Sequence, residues 1–262
     1  MIDLVTAALA ILSGAAIGLI LGLVGGGGSI LAVPLLLYVV GVADAHTAIG
    51  TSALAVAVTA FANLLPHARA GTVKWPCAAT FAVTGVLGAL VGSTAGKAFN
   101  GDYLLPLFAI VMMLVGGAML RAKSSEGDPG VRITWPIARR LVPMGFATGL
   151  LAGFFGIGGG FLILPSIMFA SGMPILNAVG SSLLSVAFFG TATATNYALS
   201  GLVDWWTAGL FIAGGAIAGA LGTRAAVRLA HHKGALNRAF AGVIIVVAIY
   251  MLLRSLRAIG VV

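Results

Sequence analysis

Long apolar runs, separated by short polar breaks, organise this chain from end to end. Runs over 4–24, 47–65, 75–96, 103–120, 135–155, 176–199, 205–229 and 236–253 each approach the length a helix needs to cross a bilayer, about 20 residues at about 1.5 Å rise per residue. Two further runs, 30–40 and 161–170, are too short to span alone. The runs are continuous, without the alternation of a membrane barrel, so the pattern predicts helices.

Each short run follows a glycine cluster. The first reads GLVGGGGSILAVP over 22–34, the second GFFGIGGGFLILP over 153–165. The match extends further at an offset near 130 residues. AIGTSALA (48–55) parallels AVGSSLLS (178–185), HARAGTVKW (67–75) parallels YALSGLVDW (197–205), and GVLGALVGS (85–93) parallels GAIAGALGT (215–223). The pattern therefore predicts an all-α integral membrane protein of two repeats. Each repeat holds about four long helices and one short helix after a Gly-rich turn. Residues 1–121 form the first repeat, 122–134 a polar linker, and 135–262 the second.

Charge decides how the repeats are oriented. If each glycine-turn pair begins and ends on one side, three polar regions share a face. They carry Arg69 and Lys74; Arg121, Lys123, Arg132, Arg139 and Arg140; and Arg224, Arg228, Lys233 and Arg238. Only Lys97, Arg254 and Arg257 fall opposite. Letting the short segments return while the long ones cross makes the split more even. The positive-inside rule favours the first arrangement. It implies an odd number of crossings per repeat, hence inverted repeats, a cytoplasmic linker 122–134 and both termini on the far, periplasmic side. The glycine turns then enter from opposite sides, as full or re-entrant hairpins.

Composition agrees: 60% of residues are hydrophobic, only 8% are charged, and mean hydropathy is +1.14. The net charge of +8 belongs to loops at one membrane face, so no nucleic-acid partner is expected. Cys77 is alone, which excludes an internal disulfide and suits a small packing residue. No early Lys or Arg precedes the first run, so it does not read as a cleaved signal.

The glycine runs carry the candidate chemistry. Gly25, Gly26, Gly27 and Gly28, and Gly158, Gly159 and Gly160, disfavour helix and let backbone approach a ligand. The N–H groups that follow, beginning at Ser29 and Phe161, open short helices, whose N-termini suit an anion. A pair of such turns in two halves points to a transporter's binding site near the midplane. Close helix packing is the alternative use of small residues, and it is the better reading for 85–93 and 215–223. Thr51 and Ser52 pair with Ser181 and Ser182; their hydroxyls donate to the anion or bond the preceding turn. Asn63 and Asn196 need partners wherever they are buried. His67 could carry a coupled proton, although its counterpart is Tyr197 and a loop at the membrane surface is the plainer setting. Arg69 and Lys74 draw anions or fix topology, and His46, His231 and His232 read as loop residues. No carboxylate lies well within a run, so neither a buried acidic proton relay nor a metal site is expected. No nucleophile–base arrangement appears, so no enzyme and no cofactor are expected. Gly156, Gly158 and Gly159 lack the strand–helix setting of a dinucleotide site, and GSTAGK (92–97) is too short for a phosphate loop.

These motifs in order, the Gly-rich–Pro segment, the GTS-type helix start, the His-Ala-Arg-x-Gly-x-Val-x-Trp block and their second copies, resemble the sulfite exporter TauE/SafE family. The resemblance covers essentially the whole chain. It implies a bacterial inner-membrane transporter, without cofactor, for sulfur-containing anions such as sulfite or organosulfonates. Lys74 stands opposite Asp204, and Arg69 opposite Leu199, so the two copies do not contribute equal charges. The expected partners are a small anion, the lipid bilayer and a coupling proton or ion. An anion channel without alternating access is the competing expectation.

Overall fold

The computed structural model describes residues 4–121, 127–128, 130–156, 160–229, 242 and 245–254. Gly158, Gly159, linker residues 122–126 and 129, His231 and His232 lie outside them. The described residues form helices and connections without strands: α1 (Leu4–Val24), α2 (Ala32–Leu35), α3 (Ala45–Arg69), α4 (Trp75–Ala98), α5 (Gly101–Arg121), α6 (Trp135–Phe155), α7 (Gly160–Ser171), α8 (Ile175–Ala198), α9 (Trp205–Leu229) and α10 (Ile245–Arg254). Five apolar helical runs are long enough to cross a membrane: Leu4–Val40, Ala45–Arg69, Trp75–Ala98, Ile175–Ala198 and Trp205–Ala226.

Local chemistry sets the ends of these elements. Asp44 caps α3, accepting from the Thr47 amide and hydroxyl, both at 2.7 Å. Partial burial pulls its carboxyl upward, but the Thr47 bonds outweigh this and hold it below its ordinary value. Pro76 and Pro136 sit in the first turns of α4 and α6, where a missing N–H costs little. One expectation needs correction. After the first glycine cluster there is no single short helix. Gly25–Leu31 coils as a 3-10 segment, one α turn follows at Ala32–Leu35, and Leu36–Val40 widens into a π turn. Consecutive glycines tolerate the tight coil, and Pro34, lacking an N–H, interrupts the ladder just before it widens. The second cluster does lead into one helix, α7.

Small residues then decide which helices meet. Along α1, a Cβ on Gly14, Gly18 or Gly22 would collide with the backbone of α9 at Phe211, Gly215 and Gly219. Along α6, Gly145, Gly149 and Gly153 meet α4 at Phe81, Gly85 and Ala89 in the same way. In both pairs the numbers rise together, so the helices run parallel with backbones in contact, as small-xxx-small stripes allow. α3 joins the first pair: Asn63 bonds Gly18 and abuts Gly219, and His67 bonds Gly22. α8 joins the second: Phe189 fills the space beside Gly85, and Asn196 bonds Ser93.

The result is two three-helix bundles, α1–α3–α9 and α4–α6–α8, each built from both sequence stretches. They meet along α3 and α8, where Gly50 lies by Tyr197, Ala57 by Gly190 and Phe61 by Phe188. Here the numbers run in opposite senses, so α3 and α8 are antiparallel. The segment Gly25–Leu31 and helix α7 pack together between the bundles. Exposed apolar side chains such as Leu12, Val83, Leu87, Phe169 and Ile217 face outward, where the lipid lies. Exposed Trp75 and Trp135 mark one end of the bundle, Trp205 and Trp206 the other, as interfacial anchors do.

Candidate functional site

Both glycine clusters break their helices by the same device. α1 stops at Val24 because Gly25 takes a left-handed conformation, φ +68°. α6 stops at Phe155 because Gly156 does the same, φ +66°. Neither position accepts a side chain. A Cβ on Gly25 would lie 2.6 Å from Ser182 Oγ, and one on Gly156 would collide with the Ile49 side chain. At Gly28 the chain has folded back, since a Cβ there would lie 2.6 Å from the Leu21 amide nitrogen. Gly25, Gly26, Gly27, Gly28 and Ser29 are all buried.

Each break is held by a serine from the opposite sequence stretch. Gly26 N–H donates to Ser182 Oγ at 3.0 Å, and that hydroxyl donates to Val179 O at 2.8 Å. Ser52 Oγ lies 3.3 Å from Gly156 O and 2.8 Å from Ile49 O, donating toward both. Ser29 Oγ closes the first turn by donating to Gly26 O at 2.9 Å. Thr51 and Ser181, one residue earlier, have another task. Thr51 Oγ1 accepts the Asp204 N–H and Ser181 Oγ accepts the Lys74 N–H, both at 2.9 Å. They pin the loops that lead into α9 and α4, also reciprocally.

The two helix breaks, at Gly25 and Gly156, lie at different levels of the bundle. The first lies near His67 and the 70–74 loop, the second near Ser52 and the 199–204 loop. Ser52 and His67 are fifteen residues apart on α3, so the turns are separated by roughly 20 Å along the bundle. Side chains longer than a hydroxyl are also dispersed. Asn63 turns toward α1, where its Nδ2 donates to Gly18 O at 3.2 Å. Asn196 sits at the 199–204 end and belongs to a Lys97 cluster: Lys97 Nζ donates to its Oδ1 at 2.8 Å and to Ser200 Oγ at 2.8 Å. His67 is buried at the other end, its Nε2 3.0 Å from Gly22 O and its Nδ1 3.0 Å from Thr72 Oγ1. Gly160 opens α7, while Gly158 and Gly159 fall outside the described residues.

A second feature was not legible in the motifs. Six buried side-chain polar atoms lack a hydrogen-bond partner among the described residues: His46 Nδ1, Thr59 Oγ1, Asn63 Oδ1, Ser185 Oγ, Thr193 Oγ1 and Tyr197 OH. All six sit on α3 or α8. Thr59, Asn63, Ser185 and Thr193 lie between the levels of the two turns. A buried polar atom without a protein partner is costly unless water or a ligand supplies one. No group of three or more His, Cys, Asp or Glu that could hold a metal occurs among the described residues.

Comparison with known proteins agrees with this architecture. The family model for the sulfite exporter TauE/SafE matches residues 10–251. A probable membrane transporter protein of Xylella fastidiosa is 50% identical over 246 residues, covering 93% of this chain and 94% of that protein. The probable membrane transporter protein YunE of Bacillus subtilis is 29% identical over 231 residues, covering 79% and 85%. The sulfite exporter TauE/SafE family protein 6 of Arabidopsis thaliana is 32% identical over 108 residues, covering 41% of this chain and 25% of that protein. No solved structure matches the chain. With a family match that runs nearly end to end, on helices that cross a membrane, the chain belongs to the sulfite exporter TauE/SafE family of membrane transporters.

Proposed function

We infer that the protein is a secondary transporter of small sulfur-containing anions, sulfite or organosulfonates, that works by alternating access in the bacterial inner membrane. The reading rests on one observation above the rest: two glycine turns at opposite ends of the molecule, each latched by a serine of the other sequence stretch. Reciprocal contacts of this kind are what a two-fold relation between repeats produces. Because the matching helices α3 and α8 run antiparallel, that two-fold lies in the membrane plane, and the repeats 1–121 and 135–262 are inverted. The charge asymmetry supports a cytoplasmic 70–74 end and linker and a periplasmic 199–204 end.

Each latch then closes one end of the route. Opening Ser182–Gly26 admits the anion from the 70–74 end, and opening Ser52–Gly156 admits it from the other. A freed Gly26 N–H, with the amides that follow it, offers the oxyanion backbone donors without a buried positive charge. Between the turns, Thr59, Asn63, Ser185 and Thr193 offer further polar contacts along α3 and α8. With both latches made, each turn is tied across the two bundles, an arrangement that suits alternating access better than a continuous channel. The family name and the donor-rich, carboxylate-free interior support a sulfur oxyanion.

Purified protein in detergent, screened by thermal shift against sulfite, sulfate, thiosulfate, taurine, sulfoacetate and simple carboxylates, tests the substrate class. At a hundredfold excess over its dissociation constant, a true ligand stabilises by about 2.7 kcal/mol. The expected outcome is a raised Tm for one or more sulfur anions and saturable, counter-gradient flux of the same anion in proteoliposomes. Stabilisation by carboxylates alone, or single-channel currents in place of saturable flux, would overturn the reading.

A further inference from the structure

Of the His, Lys, Arg, Asp and Glu side chains among the described residues, only His67 is fully buried. Its surroundings are built for two protonation states. Gly22 O, 3.0 Å from Nε2, can only accept, so Nε2 carries a hydrogen. Thr72 Oγ1 lies 3.0 Å from Nδ1 and also 3.0 Å from His67 O. With the ring neutral, the Thr72 hydroxyl donates to Nδ1, and His67 O keeps its bond from the Thr72 N–H at 3.2 Å. With a proton taken up from the medium at Nδ1, the Nδ1–H donates to Oγ1 and the hydroxyl turns to His67 O. Both states leave every polar atom matched, and one hydroxyl rotation separates them.

Among the described residues, nothing compensates the charge of the protonated ring. α1 carries no ionisable side chain from Leu4 to Val24, α8 carries none but Tyr197 at its far end, and the first glycine turn carries none. The α3–α4 connection brings Arg69 and Lys74, and α9, packed on α1, brings Arg224 and Arg228. All four are cationic. The carboxylate described at this end is Asp128, whose N–H donates to Gly172 O and whose Oδ1 accepts the Gly130 N–H. An anion at the first turn would supply the missing charge, because Gly22, the ring's acceptor, precedes Gly25 by three residues, within about one helical turn.

We propose that His67 is a proton-binding site coupled to the anion site at the first glycine turn, so that proton and anion bind together and cross together. The proposal rests on the anion-transport reading above. Mutual charge compensation makes each ligand raise the affinity for the other by the same factor. The matching position at the opposite end is Tyr197, a phenol whose hydroxyl has no partner among the described residues and which offers no basic ring nitrogen. The pseudo-symmetric position therefore supplies no counterpart to the His67 imidazole.

Thiosulfate is the suitable probe, since it does not titrate near neutrality. In proteoliposomes containing a trapped pH dye, wild type should move protons with thiosulfate and accumulate it when a pH gradient is imposed. Its affinity, read by thermal shift, should rise about tenfold between pH 7.5 and 5.5, within the usual span of coupling energies. His67→Gln should flatten that pH dependence and abolish gradient-driven accumulation while slower thiosulfate exchange persists. Thr72→Val, which removes only the rotating hydroxyl, should reduce the pH dependence in the same direction and guards against a folding defect in the first variant. Wild type that carries thiosulfate without protons, or variants whose accumulation follows the pH gradient as wild type does, would overturn the proposal. Absence of any sulfur-anion flux in wild type would instead remove the transport reading beneath it.

Discussion

Ser182 and Ser52 each commit a hydroxyl across the molecule to a glycine turn, and the two bonds differ in a way that predicts unequal effects. Ser182 accepts from the buried Gly26 N–H, so Ser182→Ala leaves a donor unsatisfied. Such a group costs about 1–3 kcal/mol. Ser52 donates to Gly156 O at the longer distance of 3.3 Å, and Gly156 keeps its own N–H bond to Gly153 O, so Ser52→Ala should cost less. Cys77, buried near the start of α4 at the 70–74 end, is the only thiol in the chain and reports on opening there. Ser182→Ala should speed its reaction with a water-soluble maleimide, and Ser52→Ala should not. Equal labelling in both variants would argue against separate latches. The two serines stood out in the sequence as hydroxyls beside a glycine, yet their partners lie 156 and 104 residues away. A motif shows that a hydroxyl is buried near a helix start; it cannot show which turn folds up against it. The break after α1 was legible, because consecutive glycines after an apolar run disfavour helix; the left-handed turns at Gly25 and at Gly156, a lone glycine before Ile157, were not. Thr51 and Ser181, read as candidate anion donors, turn out to pin loops, and Asn196 finds its partner in Lys97.

Helices carry a different kind of information. The stripes GVLGALVGS and GAIAGALGT announced close packing, and the structure assigns their partners: α4 takes α6, and α9 takes α1. Both choices cross the linker, which periodicity alone could not reveal, since a small-residue stripe fits any other. The backbones are so close that Gly18 and Gly149 each face a glycine carbonyl of the neighbouring helix, Gly215 and Gly85. Gly18→Leu or Gly149→Leu must push the pair apart. Overpacking of this sort costs about 1–3 kcal/mol, and more where backbone is the obstacle. Each variant should lower the Tm in detergent by several degrees, whereas Leu87→Ala on the lipid-facing side of α4 should change it little. If the glycine variants matched wild type, the stripes would not be interfaces. The short element after the first cluster was the least legible part. Four glycines and a proline in ten residues disfavour regular helix, but nothing in the sequence chooses a 3-10 segment and a π turn over an open loop.

At the scale of the whole molecule, the exchange of helices changes what can move. The proposed inverted repeats would suggest rocking of one repeat against the other, but α1 is zipped to α9 and α6 to α4, so neither repeat is a separable body. The separable bodies are the bundles α1–α3–α9 and α4–α6–α8, which meet at α3 and α8 and are tied by the two serine latches. Two cross-links distinguish these alternatives in a Cys77→Ala background. Ala57→Cys with Gly190→Cys joins α3 to α8 between bundles, where a Cβ on Gly190 stands 3.0 Å from that of Ala57, close to the spacing a disulfide takes up. Oxidation should stop anion flux, and reduction should restore it. Thr84→Cys with Gly145→Cys joins α4 to α6, where the Thr84 hydroxyl lies against Gly145. That bridge ties the first sequence repeat to the second but stays within one bundle. If bundles are the moving parts, oxidising it leaves flux at the level of the reduced double variant. If the repeats move as units, it blocks transport as fully as the first bridge does.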